Sequence, residues 1–130
     1  MIAELGADPA PEAVRRWCGA VPAWLVVRRP NALTVPAARV HPGEAQAIAL
    51  ASEARADRRL IDDRAGRAAA TAAGLRVIGT LGVLDYADRR ALLELPAALD
   101  RLESTNFRAH PRLLSTLRDR AARRRGGRPT

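Results

Sequence analysis

The sequence predicts an α/β domain with a mostly parallel sheet, on two observations. Short apolar segments that fit buried strands alternate with longer segments of helical periodicity. In addition, about fourteen residues separate the strand-like segments at 59–61 and 76–78, which is enough for the crossover helix that parallel pairing requires. The 130 residues fit a single domain with its own core.

The N-terminal part is predicted to hold one helix and one buried strand. Asp8-Pro9-Ala10-Pro11 is typical of a helix start, because proline is tolerated in the first turn, and Gly19 would end that helix. Residues 24–27 read as a short, fully buried strand, and residues 30–42 as an irregular connection with three prolines. The buried face of the helix would consist of Val14, Trp17 and Cys18.

The rest of the chain continues the alternation of helices and strands. Asp62-Asp63 turns the chain from a strand into a helix, and Gly74 suits a left-handed helix end. Thr80 is predicted to cap a helix whose apolar residues are Leu81, Leu84 and Leu92. The predicted segments are a helix from Gly43, strands at 59–61 and 76–78, and helices at 65–73, from Thr80, at 96–102 and at 111–120.

The basic charge is concentrated at the C-terminus. Of the +8 net charge, residues 108–130 carry +7, from eight arginines and one acid, while residues 1–107 carry +1. Such a segment would attract nucleic acid through its phosphates, or would simply be a frayed basic end.

Several classes of protein are excluded by composition. The chain has no lysine, which excludes a P-loop and Schiff-base chemistry. The single Cys18 excludes an internal disulfide, and four aromatic residues argue against a base-stacking platform. The sequence contains no run long enough to span a membrane and no signal-peptide pattern, so we expect no membrane partner and a cytoplasmic location.

Three carboxylates lie at predicted element ends, where metal-binding sites are often built. Asp62 and Asp63 follow a strand, at the sheet edge where ligands bind in open parallel sheets, and Glu44 opens a helix. Carboxylates are suitable ligands for Mg²⁺, which can activate water for phosphodiester hydrolysis. Each residue also has a structural alternative: Asp63 as a helix N-cap, Asp62 as a solvated turn residue, and Glu44 as a favourable charge in a first helical turn.

Four segments resemble an uncharacterised subgroup of PIN-like domain proteins, which are related to the ribonucleases of bacterial toxin–antitoxin modules. The resemblance extends from Ile2 to about Leu117, and residues 118–130 are expected to form a basic, disordered tail. It implies a three-layer α/β/α sandwich with a mostly parallel sheet. The segments are Gly-Glu-Ala-Gln-Ala-Ile-Ala-Leu-Ala (43–51), Leu-Ile-Asp-Asp-Arg (60–64), Gly-Leu-Arg-Val-Ile-Gly-Thr-Leu-Gly-Val-Leu (74–84) and Thr-Asn-Phe-Arg (105–108).

The resemblance also implies a function and a set of site residues. Active members of the family cleave RNA with Mg²⁺ or Mn²⁺ held by three or four acids. By position, Glu4, Glu44 and Asp62 correspond to the metal ligands, with Asp63 as the alternate or fourth catalytic acid. Arg64 and Arg67 follow the acidic turn and would contact the RNA backbone, although solvation on the helix surface is an alternative for Arg67.

One departure from the family pattern qualifies this expectation. The family begins with a hydrophobic strand ending in an aspartate, and no such segment precedes Glu4. We therefore expect an N-terminally shortened PIN-like domain that is impaired as a nuclease or dimerises to cover its sheet edges. The alternatives are a non-catalytic nucleic-acid-binding or protein-interaction domain, and a phosphoacceptor receiver domain, against which the absence of lysine argues. An antitoxin protein and a second copy of the chain are the expected protein partners.

Overall fold

The structure, a computed structural model, describes Gly6 and residues 10–35 and 40–127. Glu4 lies outside these residues, as do Asp8 and Pro9 of the predicted helix-start segment at residues 8–11. The described elements are α1 (Glu12–Gly19), α2 (Pro42–Glu53), β1 (Arg59–Leu60), α3 (Arg64–Ala72), β2 (Val77–Ile78), α4 (Thr80–Arg89), α5 (Leu95–Glu103) and α6 (Pro111–Gly126).

The α/β fold class is confirmed, and the described part of the sheet is small. The strands β1 and β2 form a two-stranded parallel sheet, with α3 as the connection between them. Arg59 N donates to Arg76 O at 2.7 Å, and Ile61 N donates to Ile78 O at 3.0 Å. This pairing agrees with the crossover predicted from the spacing of the two segments.

The buried strand predicted at residues 24–27 is wrong. Trp24 is 75% exposed and Val26 70%, and the segment has no regular secondary structure. Leu25 N donates to Pro22 O at 2.9 Å, so the backbone turns where the strand was expected to begin. An apolar run becomes a strand only when another strand pairs with it, and none does so within the described residues.

The buried face predicted for α1 is also wrong. The helix runs from Glu12 to Gly19, and none of its residues is buried. Trp17 is 44% exposed, while Val14 and Cys18 are half-buried. Core packing therefore does not account for Trp17 or Trp24.

The chain divides into two compact units. The first unit comprises Met1–Arg59 and Asp63–Val77, and the second comprises Leu60–Asp62 and Ile78–Thr130. In the first unit α2 packs against α3. The side chains that this packing buries are small, apart from one isoleucine, so the two helices approach closely. The buried residues are Ala45, Ile48, Ala49, Gly66 and Ala70.

In the second unit α4, α5 and α6 pack around a leucine-rich core. Its fully buried residues include Leu95 and Leu99, and Leu81 and Leu84 of α4 pack against it. Leu92, predicted to belong to the apolar face of α4, is 76% exposed. The reason is that α4 ends at Arg89 and Ala91 has φ 57°, which directs the chain away from the helix axis.

The helix α6 continues through the segment expected to be a disordered tail. It runs to Gly126, so residues 118–126 are helical. Leu117 and Ala121 are buried one turn apart, and this burial carries the helix past residue 117. Leu117 and Ala121 lie in an arginine-rich stretch, so the apolar face of this helix is difficult to recognise in the sequence.

The Asp88 carboxylate connects the three helices of the second unit. From the end of α4, its Oδ1 accepts a hydrogen bond from Leu95 N, the first residue of α5, at 2.9 Å. Its Oδ2 accepts from Arg124 of α6, from Nη2 at 2.6 Å and from Nε at 3.1 Å. Arg124 Nη2 also donates to Asp85 Oδ1 at 3.0 Å. The network gives α5 a partner for an otherwise free N–H group and orients α6.

We predict that Leu99→Ala lowers the free energy of unfolding by about 2–5 kcal/mol, because it leaves a cavity in the core of the second unit. Urea titration followed by helical circular dichroism measures the change. Leu92→Ala is the matched control, since Leu92 is 76% exposed and its truncation should change the free energy by less than about 0.5 kcal/mol. Equal effects of the two substitutions would contradict the assigned core.

The Asp88 network predicts a pH dependence of stability. Burial raises the pKa of Asp88, but hydrogen bonds from Arg124 and Leu95 N outweigh it and bring the pKa below its ordinary value of 3.8. A carboxylate with a lowered pKa stabilises the fold above pH 3.8, and this stabilisation is lost as the pH falls through the folded-state pKa.

In Asp88→Asn the free energy of unfolding should therefore fall less steeply than in the wild type as the pH is lowered below about 4. Urea titrations between about pH 6 and about pH 2.5 compare the slopes. Asp57→Asn, at an exposed aspartate, is the control and should keep the wild-type slope. An unchanged slope in Asp88→Asn would contradict the stabilising role of the network.

Candidate functional site

The helix that carries Glu44 begins with a local capping arrangement. His41 is the N-cap, and its Nδ1 accepts a hydrogen bond from Gly43 N at 3.3 Å. Pro42 then occupies the first helical position, where its missing N–H group has no cost. Glu44 therefore lies in the first turn of α2, half-buried, on the side of the helix that approaches α3.

Asp63 caps the helix α3. Its Oδ2 accepts a hydrogen bond from Gly66 N at 2.8 Å, which satisfies one of the free N–H groups of the first turn. The helix N-cap role, which was the structural alternative predicted for Asp63 from the sequence, is thus confirmed. The cap uses one oxygen of an exposed side chain.

Asp62 accepts hydrogen bonds from a different helix, α4, which belongs with it to the second unit. Its Oδ1 accepts from Thr80 N at 2.8 Å, and its Oδ2 accepts from Thr80 Oγ1 at 2.5 Å. The prediction that Thr80 caps α4 is therefore wrong, because Gly79 is the N-cap and the Thr80 hydroxyl donates to Asp62 instead. Asp62 connects the end of β1 to the start of α4.

Glu44 and Asp63 meet at Gly66, a residue that the sequence analysis did not single out. A Cβ atom at position 66 would lie 3.0 Å from Glu44 Oε2 and 3.1 Å from Glu44 Oε1. The absent side chain of Gly66 thus leaves room for the Glu44 carboxylate beside the first turn of α3. That turn is the positive end of the helix dipole, which favours both carboxylates.

Arg59 is the cation that accompanies Glu44 in the first unit. Burial lowers the pKa of Arg59 below its ordinary value, and the electrostatic attraction of Glu44 opposes this change. Its Nε atom is buried and has no hydrogen-bond partner among the described residues. Sequence reasoning missed Arg59 because an arginine at the start of a short strand reads as a solvated end.

The two predicted RNA-contacting arginines lie at the start of α3. Arg64 is its first residue and is exposed. Arg67 is half-buried, and its backbone N donates to Asp63 O at 2.9 Å. Of the six residues predicted for the site, the structure thus places Asp63, Arg64 and Arg67 at the start of α3 and brings Glu44 beside that turn at Gly66. Asp62 belongs to the second unit, and Glu4 lies outside the described residues.

The described residues do not by themselves make up a metal site. No group of three or more Asp, Glu, His or Cys side chains in ranges 10–35 and 40–127 is placed to hold an ion. Both oxygens of Asp62 accept hydrogen bonds from Thr80, and one oxygen of Asp63 caps α3. Their oxygen chemistry suits a hard cation such as Mg²⁺.

In the part of the chain that the structure describes, no helix combines the length and the apolar character needed to cross a membrane.

A comparison with protein families identifies the chain. The model of the PIN domain family matches residues 2–123, which is nearly the whole sequence. The chain belongs to the PIN domain family, and the resemblance seen in its sequence is confirmed. The PIN domain is a nuclease-type fold whose members generally depend on a divalent metal and interact with nucleic acid. No curated protein and no solved structure matches the chain significantly.

We predict that Asp63→Ala lowers the free energy of unfolding by about 1 kcal/mol, because the N-cap hydrogen bond to Gly66 N is lost. Chemical denaturation followed by circular dichroism measures it. Asp57→Ala serves as the matched control at an exposed aspartate outside the helices. Equal stability of the two variants would show that the cap does not contribute.

Proposed function

We propose that the chain acts on RNA as an endoribonuclease of the PIN domain family that depends on Mg²⁺ or Mn²⁺. The family match over residues 2–123 carries this proposal. Glu4, Glu44 and Asp62 are the proposed metal ligands, and Asp63 is the alternate or fourth catalytic acid. The three-layer sandwich of the family is part of the same proposal.

The surroundings of Glu44 support its assignment. A half-buried carboxylate in a first helical turn needs no glycine opposite it, yet Gly66 is buried at that point and any larger residue would press on the carboxylate. Arg59 supplies positive charge nearby, and its electrostatic attraction to Glu44 opposes the lowering of the Arg59 pKa by burial. These two residues position Glu44.

The start of α3 supports RNA as the ligand. Arg64 is exposed at the N-terminal end of the helix, where the helix dipole adds to its positive charge. Phosphate groups bind well in such a field, and arginine can donate two parallel hydrogen bonds to one phosphate. Arg64 and Arg67 are thus the proposed contacts to the RNA backbone beside the acids.

A second function, a non-catalytic nucleic-acid-binding or protein-interaction domain, has its own support. Both carboxylate oxygens of Asp62 accept hydrogen bonds from Thr80, which is a structural use of the residue. The described residues also contain no cluster of three metal-ligating side chains. A domain that kept the PIN fold and bound RNA without cleaving it would show these features.

A toxin role in a bacterial toxin–antitoxin module, with an antitoxin or a second copy as partner, is the finer part of the proposal. Its support is the exposed apolar segment of the first unit, in which Trp24, Val26 and Val27 are 75%, 70% and 61% exposed. Exposed apolar residues grouped in this way are typical of a surface that a protein partner covers.

We expect the purified chain to cleave a fluorescently labelled single-stranded RNA with Mn²⁺ or Mg²⁺, and not with EDTA. Glu44→Gln and Asp62→Asn should each lower the rate by about 100-fold or more, corresponding to about 3 kcal/mol. Gel electrophoresis of the products measures the rate. Glu94→Gln and Asp57→Asn, at exposed acids outside the site, are the matched controls and should cleave at the wild-type rate.

The outcomes separate the two functions. RNA binding without cleavage in either metal ion would support the non-catalytic domain. Cleavage that survives the combined substitution Asp62→Asn and Asp63→Asn would contradict the proposed site, while leaving nuclease activity in place.

A further inference from the structure

The six arginines of α6 divide into two groups by the side of the helix on which they lie. Those beside the buried face are neutralised by carboxylates of α4 and α5. Arg118 pairs with Asp100 and with Glu103, the latter at 2.7 Å. Arg124 pairs with Asp85 and Asp88 at 3.0 and 2.6 Å, and Arg125 lies 3.7 Å from Asp88.

The other three arginines of α6, which we call the outer arginine face, are Arg112, Arg120 and Arg123. All three are exposed, and none lies within 4.0 Å of a carboxylate in the part of the chain that the structure describes. With 3.6 residues per turn, these positions fall within about 80° of the helix circumference, roughly opposite Leu114, Leu117 and Ala121. The one acid on the same side is Asp119.

Helix stability does not account for this arrangement. Arg112 is the second residue of α6, where the positive end of the helix dipole repels a cation. Arg120 and Arg123 are three residues apart, a spacing at which like charges repel each other. Four carboxylates are available to the inner arginines, and none pairs with the outer ones among the described residues. Among the described residues, the charge of the outer face is therefore left without a carboxylate partner.

The length and shape of the face fit an extended polyanion. Eleven residues of α-helix separate Arg112 from Arg123, a distance of about 16 Å along the axis. This length matches about five nucleotides of a strand at about 3.4 Å each. Arginine suits phosphate because its planar guanidinium donates two hydrogen bonds in parallel.

We propose that the outer arginine face is a docking surface for the phosphate backbone of single-stranded RNA, separate from the acidic residues. The proposal rests on the proposed function in that RNA is the ligand. The docking proposal concerns binding alone. RNA binding is therefore measured without divalent metal ions, so that a failure of docking can be distinguished from a failure of nuclease activity. Phosphate contacts of this kind position the nucleic acid and do not read its sequence.

The test is the salt dependence of RNA binding by the full chain in EDTA. A labelled oligouridylate of about 20 nucleotides is titrated with protein between 50 and 200 mM salt, and fluorescence anisotropy gives the affinity. Neutralising three phosphates of a single strand contributes about 2 to the slope of log affinity against log salt. The triple variant Arg112→Gln, Arg120→Gln, Arg123→Gln should lose this contribution. Across the fourfold salt range, its affinity should then fall about 20-fold less than that of the wild type.

Two further variants control for net charge and for folding. Arg28→Gln, Arg29→Gln, Arg76→Gln removes the same charge from exposed positions of the first unit and should keep the wild-type slope. Asp119→Asn removes the single acid from the outer face and should increase affinity for RNA at 50 mM salt, a gain that unfolding cannot imitate. Circular dichroism of all variants confirms that α6 is retained.

Three results would overturn the proposal. The first is a wild type that does not bind the oligouridylate. The second is an equal salt slope in the two triple variants. The third is competition by polyglutamate that is as strong as competition by RNA of equal charge. The last result would assign the face to an acidic protein instead. A reduced slope in the outer-face variant alone, together with a stronger Asp119→Asn variant, supports RNA docking.

Discussion

The second unit depends on the half-buried carboxylate of Asp88. Its two oxygens bind the first N–H group of α5 and the guanidinium of Arg124 in α6, while its own backbone belongs to α4. Apolar packing of Leu95 and Leu99 buries area without fixing the angle of any single contact. The hydrogen bonds of Asp88 add that definition, because a charged carboxylate accepts them at defined angles. Together with the burial of Leu114, Leu117 and Ala121, they hold one side of α6 against the core and leave its outer arginines on the other side.

The acidic turn shows how two adjacent residues acquire different tasks. Asp62 accepts hydrogen bonds from Thr80 at the start of α4, whereas Asp63 caps α3 and meets Glu44 at Gly66. Successive side chains leave an extended segment on opposite sides, which lets the two neighbouring aspartates accept hydrogen bonds from different helices. The proposed metal ligands are therefore also elements of the fold, and substitution at these positions changes stability and activity together. This is why matched controls at exposed acids matter for interpreting any loss of cleavage.

Arginine content alone describes this protein poorly, because its arginines differ in environment. Arg59 is half-buried near Glu44, Arg124 is held by two aspartates, and Arg112 is exposed without a carboxylate partner among the described residues. The net charge of +8 gives no indication of this division. Within α6, ion pairing neutralises the inner arginines and leaves the charge of the outer arginine face exposed. Electrostatic attraction for a polyanion follows from that remaining charge and not from the total.

The sequence by itself determined the family, through its resemblance to PIN-like domain proteins. It also determined the helix–strand order from α2 to α6 and the capping role considered for Asp63, because these two follow from local spacing and capping chemistry. Only the tertiary structure decided which apolar segments are buried: residues 24–27 are exposed, whereas Leu117 and Ala121 are buried within an arginine-rich helix. It likewise revealed Gly66 and Arg59 as the neighbours of Glu44. The physical reason is that periodicity reports which residues can share a face, while burial depends on a second element that covers that face. Pairing between residues far apart in the chain, such as Asp88 and Arg124, leaves no local signal in the sequence.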